Sequence, residues 1–229
     1  MDQASGGKSM TAPTDYRDQT ALAKWCRWLL FAQAALALIS ALSGFVTAGL
    51  LADVAKGMAD PAAVEQDDMR TGVIALLTLL LLIINLIAIG TWIVRASRNA
   101  WILRPDEMEI TPGWAVGWYF VPIANLYLPF KAMQEIWLAS ANAAGPEQYA
   151  DAGGLLNSWW GFWLLSNILG AITFQIQMRA DSLEAIRLGA SFSIAADVLN
   201  MAASLLMAAV IARTQKMQTA VTPGEHGEG

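Results

Sequence analysis

The stretch GVIALLTLLLLIINLIAIGTWIV, residues 72–94, decides the fold of this chain. It contains no charged residue, and Asn85 is the main interruption of its apolar character. An α-helix rises 1.5 Å per residue, so roughly 20 apolar residues cross a hydrocarbon core of about 30 Å. A helix also satisfies its backbone hydrogen bonds internally, as lipid requires. The sequence therefore predicts a transmembrane helix over about residues 72–95.

The rest of the chain has the composition of a membrane protein. Of its 229 residues, 56% are hydrophobic and 14% are charged, whereas soluble domains carry about a quarter charged residues. Further apolar blocks predict spans at about 28–51, 155–177 and 188–212. The net charge of −5 leaves no strong basic patch for nucleic acid. We therefore expect an all-α, polytopic transmembrane helical bundle that has the lipid bilayer as its partner.

The predicted spans belong to one transmembrane domain, residues 21–217, which lies between two polar ends. Residues 1–20 are small, polar and aperiodic, which predicts a disordered tail. Residues 218–229 predict a second, flexible tail. Between the first two spans, residues 52–71 are rich in acidic side chains and predict an acidic loop.

Basic residues set the expected orientation. Lys24 and Arg27 precede the first span, and Arg95 and Arg98 follow the second. Cytoplasmic loops carry an excess of Lys and Arg. We therefore expect a cytoplasmic N-terminus and an acidic loop on the outside.

The third apolar block, residues 112–140, is interrupted by Pro122 and Pro129. Each proline removes a backbone donor and collides with the preceding helical turn. The backbone groups freed in this way cannot face lipid and need protein or water. We therefore expect four full spans and a broken, re-entrant or interfacial segment; a kinked fifth span is the alternative.

Residues 112–137 resemble the central motif of a bacterial membrane family, domain of unknown function 4328. The shared pattern is P-G-W-x-V-G-W, then P-x-x-N-L-x-x-P, then an acidic residue, an apolar residue and Trp. The matching positions are Pro112, Gly113, Trp114, Val116, Gly117, Trp118, Pro122, Asn125, Leu126, Pro129, Glu135, Ile136 and Trp137. The similarity extends over roughly residues 25–217. It implies a multi-pass bacterial inner-membrane protein and brings no established activity.

A polar stripe in the last predicted span is the first candidate site. Asp197 lies near the middle of that span, where a carboxylate costs roughly 2.5–3.5 kcal/mol on insertion scales. Asn200 and Ser204 follow at i+3 and i+7, so the three share one helix face. The stripe predicts an ion, proton or substrate site, or alternatively an Asp that joins helices by hydrogen bonding.

The broken segment is the second candidate site, formed by Trp114, Trp118, Pro122, Asn125 and Pro129. Broken helices expose carbonyls and helix ends that bind ions or polar ligands. We favour a structural role in which the Asn125 amide satisfies the backbone groups that the prolines release. Most other tryptophans flank spans, which predicts an interfacial belt.

Two further patterns predict packing. Ser40, Gly44 and Ala48 recur every fourth residue and allow another helix to approach closely. This stripe, and a similar one in the last span, favour self-association or binding to another membrane protein; packing within the chain is the alternative for the stripe of the last span. Lys131 and Glu135 are spaced i,i+4 and predict a solvated ion pair.

Motifs for catalysis, metal binding or cofactor binding are missing from the sequence. Cys26 and His226 are the only cysteine and histidine, which excludes a Cys/His metal cluster. Asp197 also has no second intramembrane carboxylate, as an aspartyl enzyme requires. We therefore expect no metal, no cofactor and no enzymatic activity. The first hypothesis is a scaffold, assembly or sensing component of the bacterial membrane; the second is a small transporter or channel using Asp197 and the Pro122–Pro129 break.

Overall fold

A computed structural model describes residues 16–145 and 152–221. Those residues form the helices α1 (Thr20–Ala55), α2 (Pro61–Leu103), α3 (Trp114–Gly117), α4 (Leu128–Ala144), α5 (Ala152–Arg179) and α6 (Leu183–Ala220). Within these two ranges no residue lies in a β-strand, which confirms the all-α prediction. By length and composition, α1, α2 and α6 are suited to cross a membrane.

The predicted acidic loop is mostly helical. Asp60 caps α2, because its side chain accepts a hydrogen bond from the backbone N–H of Ala62 at 3.0 Å. Pro61 occupies the first helical position, where its missing donor is not needed. Only residues 56–60 separate α1 from α2, so the prediction of a loop over residues 52–71 is wrong. The Asp-Pro pair was the signal for the helix start.

The helices are longer than the predicted spans that they contain. α2 has 43 residues and α6 has 38, and both exceed the roughly 20 residues that a bilayer core requires. The predicted tails, 1–20 and 218–229, lie largely outside the described residues. Their inner ends differ from the prediction, because Gln19 and Gln218 are buried and the helix continues through residue 218.

The four long helices pack in the order α2–α1–α6–α5, each against the next. α1 and α6 approach closely at Gly44, where an added Cβ atom would lie 2.6 Å from Cγ1 of Ile194. Glycine at this position therefore lets the two helices meet. The small-residue stripe thus serves packing within the chain at Gly44.

A buried core lies at the end of the bundle where α1 begins and α2 and α6 end. We call this end the base and define it by residues 16–30, 92–110, 128–144 and 207–220. α4 packs here against α2, α5 and α6. The core contains large side chains, among them Trp92, Met133, Ile136, Trp137 and Ile211.

Half of the tryptophans are buried, in contrast to the expected belt. The buried ones are Trp92, Trp101, Trp137, Trp159 and Trp160. Trp25 and Trp28 are 68% and 60% exposed beside the basic start of α1, as an interfacial position requires. Tryptophan therefore has two roles here, and only its position in the fold distinguishes them.

The helical structure is interrupted between Gly117 and Leu128. The chain forms two 3-10 turns, Trp118–Phe120 and Ala124–Leu126, and Ile123 between them has φ 68°. Such a value is unusual for a β-branched residue and marks a sharp reversal of the backbone.

The segment between α2 and α5 returns to the base. The Arg104 side chain donates a hydrogen bond to the backbone carbonyl of Asn142 at 3.1 Å. Nδ2 of Asn142 donates to the Glu107 carboxylate at 2.9 Å. The end of α4 therefore lies beside the end of α2.

Candidate functional site

The residues of the predicted polar stripe line two of the cavities between the described helices. The outer cavity, of about 940 Å³, is bounded by α1, α2 and α6 and extends towards the connection between α1 and α2. The inner cavity, of about 260 Å³, lies closer to the base and is bounded by α1, α2, α5, α6 and the broken segment. Leu82 of α2 lines both cavities, so one side chain belongs to both walls.

Asp197 lines the outer cavity, as do Ser193 of α6 and Ser40 of α1. Ser193 precedes Asp197 by one helical turn, and Ser40 lies beside the carboxylate. Asp197 is half-buried. The close α1–α6 approach at Gly44 lies at the same level of the bundle, because Gly44 lines this cavity too. The aspartate is therefore held against hydroxyl groups at a well-packed helix contact.

Asp67 of α2 also lines the outer cavity, and it forms an ion pair with Arg70 of the same helix. Both residues bind α1: Arg70 Nε donates to the Ser43 hydroxyl at 2.8 Å, and the Thr47 hydroxyl donates to Asp67 at 3.0 Å. Asp67 is 6% exposed. The pair therefore neutralises Asp67 and joins α2 to α1.

Two further carboxylates of the outer cavity have no basic partner among the described residues. Asp68 also lines this cavity, and within the described ranges neither Asp68 nor Asp197 has a basic partner within 4 Å. Carboxylates without partners attract cations. A cation or a proton is thus the chemistry that this cavity suits.

The structure divides the predicted polar stripe between the two cavities. Asn200 and Ser204 line the inner cavity, and Asp197 lines the outer one. The Ser204 hydroxyl lies 3.3 Å from Asn200 Oδ1, to which it donates. The three residues share a helix face, but seven residues extend about 10 Å along the axis. The candidate site of three residues is therefore two separate sites.

Asn85 and Gln33 face Asn200 across the inner cavity. Nδ2 of Asn85 donates to Oε1 of Gln33 at 3.4 Å. Oδ1 of Asn85 is buried and has no hydrogen-bond partner in the part of the chain that the structure describes. This carbonyl oxygen is therefore an acceptor without a described partner, in a residue that lines the cavity.

Aromatic side chains form the wall of the inner cavity nearest the base. Tyr119 of the broken segment meets Trp163 edge to face, with ring centroids 5.7 Å apart. Trp163 stacks on Trp160 at 4.7 Å. Trp160 Nε1 donates to the backbone carbonyl of Leu126 at 3.2 Å. α5 thus holds the broken segment in place through its tryptophans.

The residues of the predicted broken-helix site do not line either cavity. The rings of Trp114 and Trp118 pack against each other in a tilted arrangement, with centroids 4.5 Å apart. Pro122 is exposed, and Pro129 is buried in the base. The backbone N–H of Asn125 donates to a carbonyl of the adjacent turn at 2.9 Å.

Several backbone groups of the break are satisfied locally. The N–H groups of Ala124, Leu126 and Tyr127 each bind a carbonyl two or three residues earlier, at 2.8–3.1 Å. Trp160 satisfies the Leu126 carbonyl as well. Local turns and α5 thus supply part of what the prolines remove, and the role of the Asn125 amide stays a prediction.

Gln218 is the central polar residue of the base, although the sequence predicts a flexible tail at this position. Its Nε2 donates to the Ala96 carbonyl at 3.0 Å and to the Ser140 hydroxyl at 2.9 Å. Its Oε1 accepts from Gln19 at 2.8 Å. One side chain therefore joins the segment before α1 to α2, α4 and α6. Gln218 follows Thr214 by one helical turn, and this spacing was the signal in the sequence that the helix continues to Gln218.

The segment before α1 is held by further hydrogen bonds to the base. The backbone N–H of Arg17 donates to Asn99 Oδ1 at 3.1 Å, and Asn99 Nδ2 donates to the Arg17 carbonyl at 3.0 Å. The Tyr16 hydroxyl donates to the Gln218 carbonyl at 2.8 Å. Burial raises the pKa of Tyr16 above its usual value. Residues 16–19 are thus part of the folded domain.

Glu135 is a buried carboxylate that binds backbone amides. It is 8% exposed, and its Oε2 accepts from the N–H groups of Glu109 at 3.1 Å and Ile110 at 2.9 Å. Lys131 pairs with Glu109, a hydrogen bond that raises the pKa of Lys131, and its Nζ lies 3.9 Å from Glu135. The predicted Lys131–Glu135 ion pair is therefore present, but it is not solvated at Glu135, which is buried and points at the connection after α2.

These features define an α-helical membrane protein with polar cavities between its helices and a buried, polar-linked base. A protein-family model described as domain of unknown function (DUF4328) matches residues 55–216, and the chain belongs to this family. The resemblance recognised in residues 112–137 is confirmed, although the match begins later than residue 25. Searches of curated proteins and of solved structures gave no match.

Proposed function

We propose that this protein is a non-enzymatic scaffold, assembly or sensing component of the bacterial cytoplasmic membrane. The observation that carries the proposal is how the chain uses its buried polar side chains. Gln218, Glu135 and Asp67 each bind other segments of the same chain. Buried polar groups of this kind fix one arrangement of helices. A fixed arrangement is what a scaffold needs.

The proposed topology has four spans, a cytoplasmic N-terminus and a segment between α2 and α5 that stays on the cytoplasmic side. Basic residues support this orientation. Those at the base are Arg17, Lys24, Arg27, Arg95, Arg98, Arg104, Lys131, Arg213 and Lys216, and those at the other end are Lys56, Arg70, Arg179 and Arg187. Because positive residues are retained inside, the base is cytoplasmic. α5 packs along α6 and is the proposed fourth span.

α2 supplies the surface proposed for self-association or for another membrane protein. Only 6% of its most apolar window is buried inside the chain, against 22% for α1 and 33% for α6. α2 also lies at the edge of the helix order α2–α1–α6–α5. Its exposed face therefore has room for a neighbouring helix as well as for lipid.

A small transporter or channel is the second candidate, and Asp197 is the observation that favours it. Unlike Asp67, Asp197 takes no part in an ion pair among the described residues. It lines a large cavity with hydroxyl groups. An intramembrane carboxylate in such a cavity suits the binding of a proton or a cation.

The substitution Asp197→Asn separates the two candidates. The wild type, Asp197→Asn and a Ser193→Ala control are reconstituted at equal density in liposomes. Proton flux is measured with an entrapped pH dye, and potassium flux with a cation dye. For a scaffold, we expect all three to show the flux of empty liposomes and to keep the same oligomeric state and abundance. A wild-type flux that Asp197→Asn abolishes and Ser193→Ala retains would sink the scaffold proposal.

A further inference from the structure

The inner cavity is polar but uncharged. Its polar lining comes from α1, α2, α5 and α6: Gln33, Asn85, Ser166, Asn167, Asn200 and Ser204. No Asp, Glu, Lys, Arg or His lines this cavity in the described part of the chain. A charged group in apolar surroundings needs an opposite charge. The lining therefore suits an uncharged molecule.

Hydrogen-bonding groups of the lining remain unused on two sides of this cavity. Asn85 is 6% exposed, and its Oδ1 has no partner in residues 16–145 or 152–221. On α6, Asn200 uses its Oδ1 to accept from Ser204, which leaves its amide NH₂ as a donor. Buried polar groups are normally paired. An acceptor on α2 and a donor on α6 thus face one space.

The third wall is aromatic. Tyr119, Trp159 and Trp163 line it, and Tyr119 meets Trp163 edge to face. Planar rings pack favourably against such surfaces. The cavity of about 260 Å³ is close to the lower limit of about 300 Å³ for ligand pockets, so it suits a molecule with a single ring.

We propose that the inner cavity binds a small, uncharged molecule that has one planar ring and a hydrogen-bonding edge. The ring lies against Trp159 and Trp163, and the edge binds Asn85 and Asn200. This site is separate from Asp197, so it stands under either proposed function. A sensor would use this site to detect the molecule, because Tyr119 lines the cavity and also belongs to the broken segment.

Benzamide, benzoate and benzamidinium test the proposal, since they share one shape and differ in charge. Binding is measured by equilibrium dialysis against the full chain in nanodiscs, with empty nanodiscs as the blank for partition into lipid. We expect saturable binding of benzamide, and binding of the two ions that is weaker by about tenfold or more. Asn85→Leu, which removes the acceptor, weakens the binding of benzamide about tenfold. Ser193→Ala in the outer cavity leaves it unchanged.

Asn200→Asp provides a second test that keeps the side-chain shape. A carboxylate at this position supplies the missing opposite charge, so the preference changes from benzamide to benzamidinium. Each variant is first checked for the thermal midpoint of the wild type, and if Asn85→Leu does not fold, Asn200→Asp decides. The proposal is overturned if no probe binds above the blank, if all three bind equally, or if Asn200→Asp keeps the wild-type order of affinity.

Discussion

At the scale of single residues, Glu135 and Gln218 show what buried polar side chains do in this chain. Glu135 binds two backbone amides of the connection after α2. Gln218 binds a backbone carbonyl, a hydroxyl and a second amide. Each of the two side chains binds groups from another segment of the chain through more than one hydrogen bond. Their contribution is to fix the base.

Glu135→Ala leaves the N–H groups of Glu109 and Ile110 without their acceptor. We expect the free energy of unfolding to fall by roughly 2–4 kcal/mol, because two hydrogen bonds to a charged acceptor are lost. The measurement is unfolding in mild detergent, together with amide hydrogen exchange at residues 109 and 110. Glu65→Ala is the control, since Glu65 is exposed on α2. Equal stability of the two variants would contradict the assigned role.

At the scale of helices, local sequence determines where each helix begins, and packing determines where helices meet. Asp60-Pro61 starts α2. Pro122 and Pro129 interrupt the third block, and the turns between them follow from the donors that proline lacks. The contact of α1 with α6 depends on Gly44, where a side chain would collide with Ile194.

Gly44→Ala tests this helix contact. We expect a loss of roughly 1–3 kcal/mol in the free energy of unfolding, because Ile194 has to move. Gly49→Ala in the same helix is the matched control: nothing lies within 4 Å of its added Cβ, and removing a helical glycine stabilises by about 0.5–1 kcal/mol. Thermal unfolding of both variants is measured in the same detergent. A Gly44→Ala protein as stable as Gly49→Ala would contradict the close contact.

At the scale of the whole molecule, hydrogen bonds between distant segments place the ends of the chain. The segment before α1 and the end of α6 meet at Gln19 and Gln218. The end of α4 lies beside Arg104. Helix ends that meet at the base lie on the same side of the membrane. One measurement of sidedness therefore tests the entire topology.

Cysteine accessibility measures that sidedness. Ala143→Cys and Ser182→Cys are introduced separately, and the buried native Cys26 is expected to stay unreactive. In intact cells, a membrane-impermeant maleimide labels Ser182→Cys, and Ala143→Cys reacts only after the inner face is exposed. Ala143 follows the broken segment, and Ser182 lies between α5 and α6, so the pair distinguishes four spans from five. Labelling of Ala143→Cys from outside would refute the four-span topology.

The candidate sites were predicted less well than the helices, for a physical reason. Periodicity places Asp197, Asn200 and Ser204 on one face of α6, but it carries no information about the helices opposite. Ser40 and Asp67 on one side, and Asn85 and Tyr119 on the other, come from distant parts of the chain. The spacing of Lys131 and Glu135 predicted their contact with each other but not their further partners, which lie more than 20 residues away.

The sequence by itself determined the helical class, the apolar spans, the proline break and the family, since each depends on runs of side chains, on backbone chemistry or on a contiguous motif. Only the tertiary structure decided how the polar residues are used: which ones close the base, which ones line a cavity and which tryptophans are buried. The partner of a side chain on one helix often lies on another helix, and the distance along the sequence does not reveal which one. A polar side chain that is buried without a partner destabilises the fold. The packing of the whole molecule therefore determines which partner each polar side chain has.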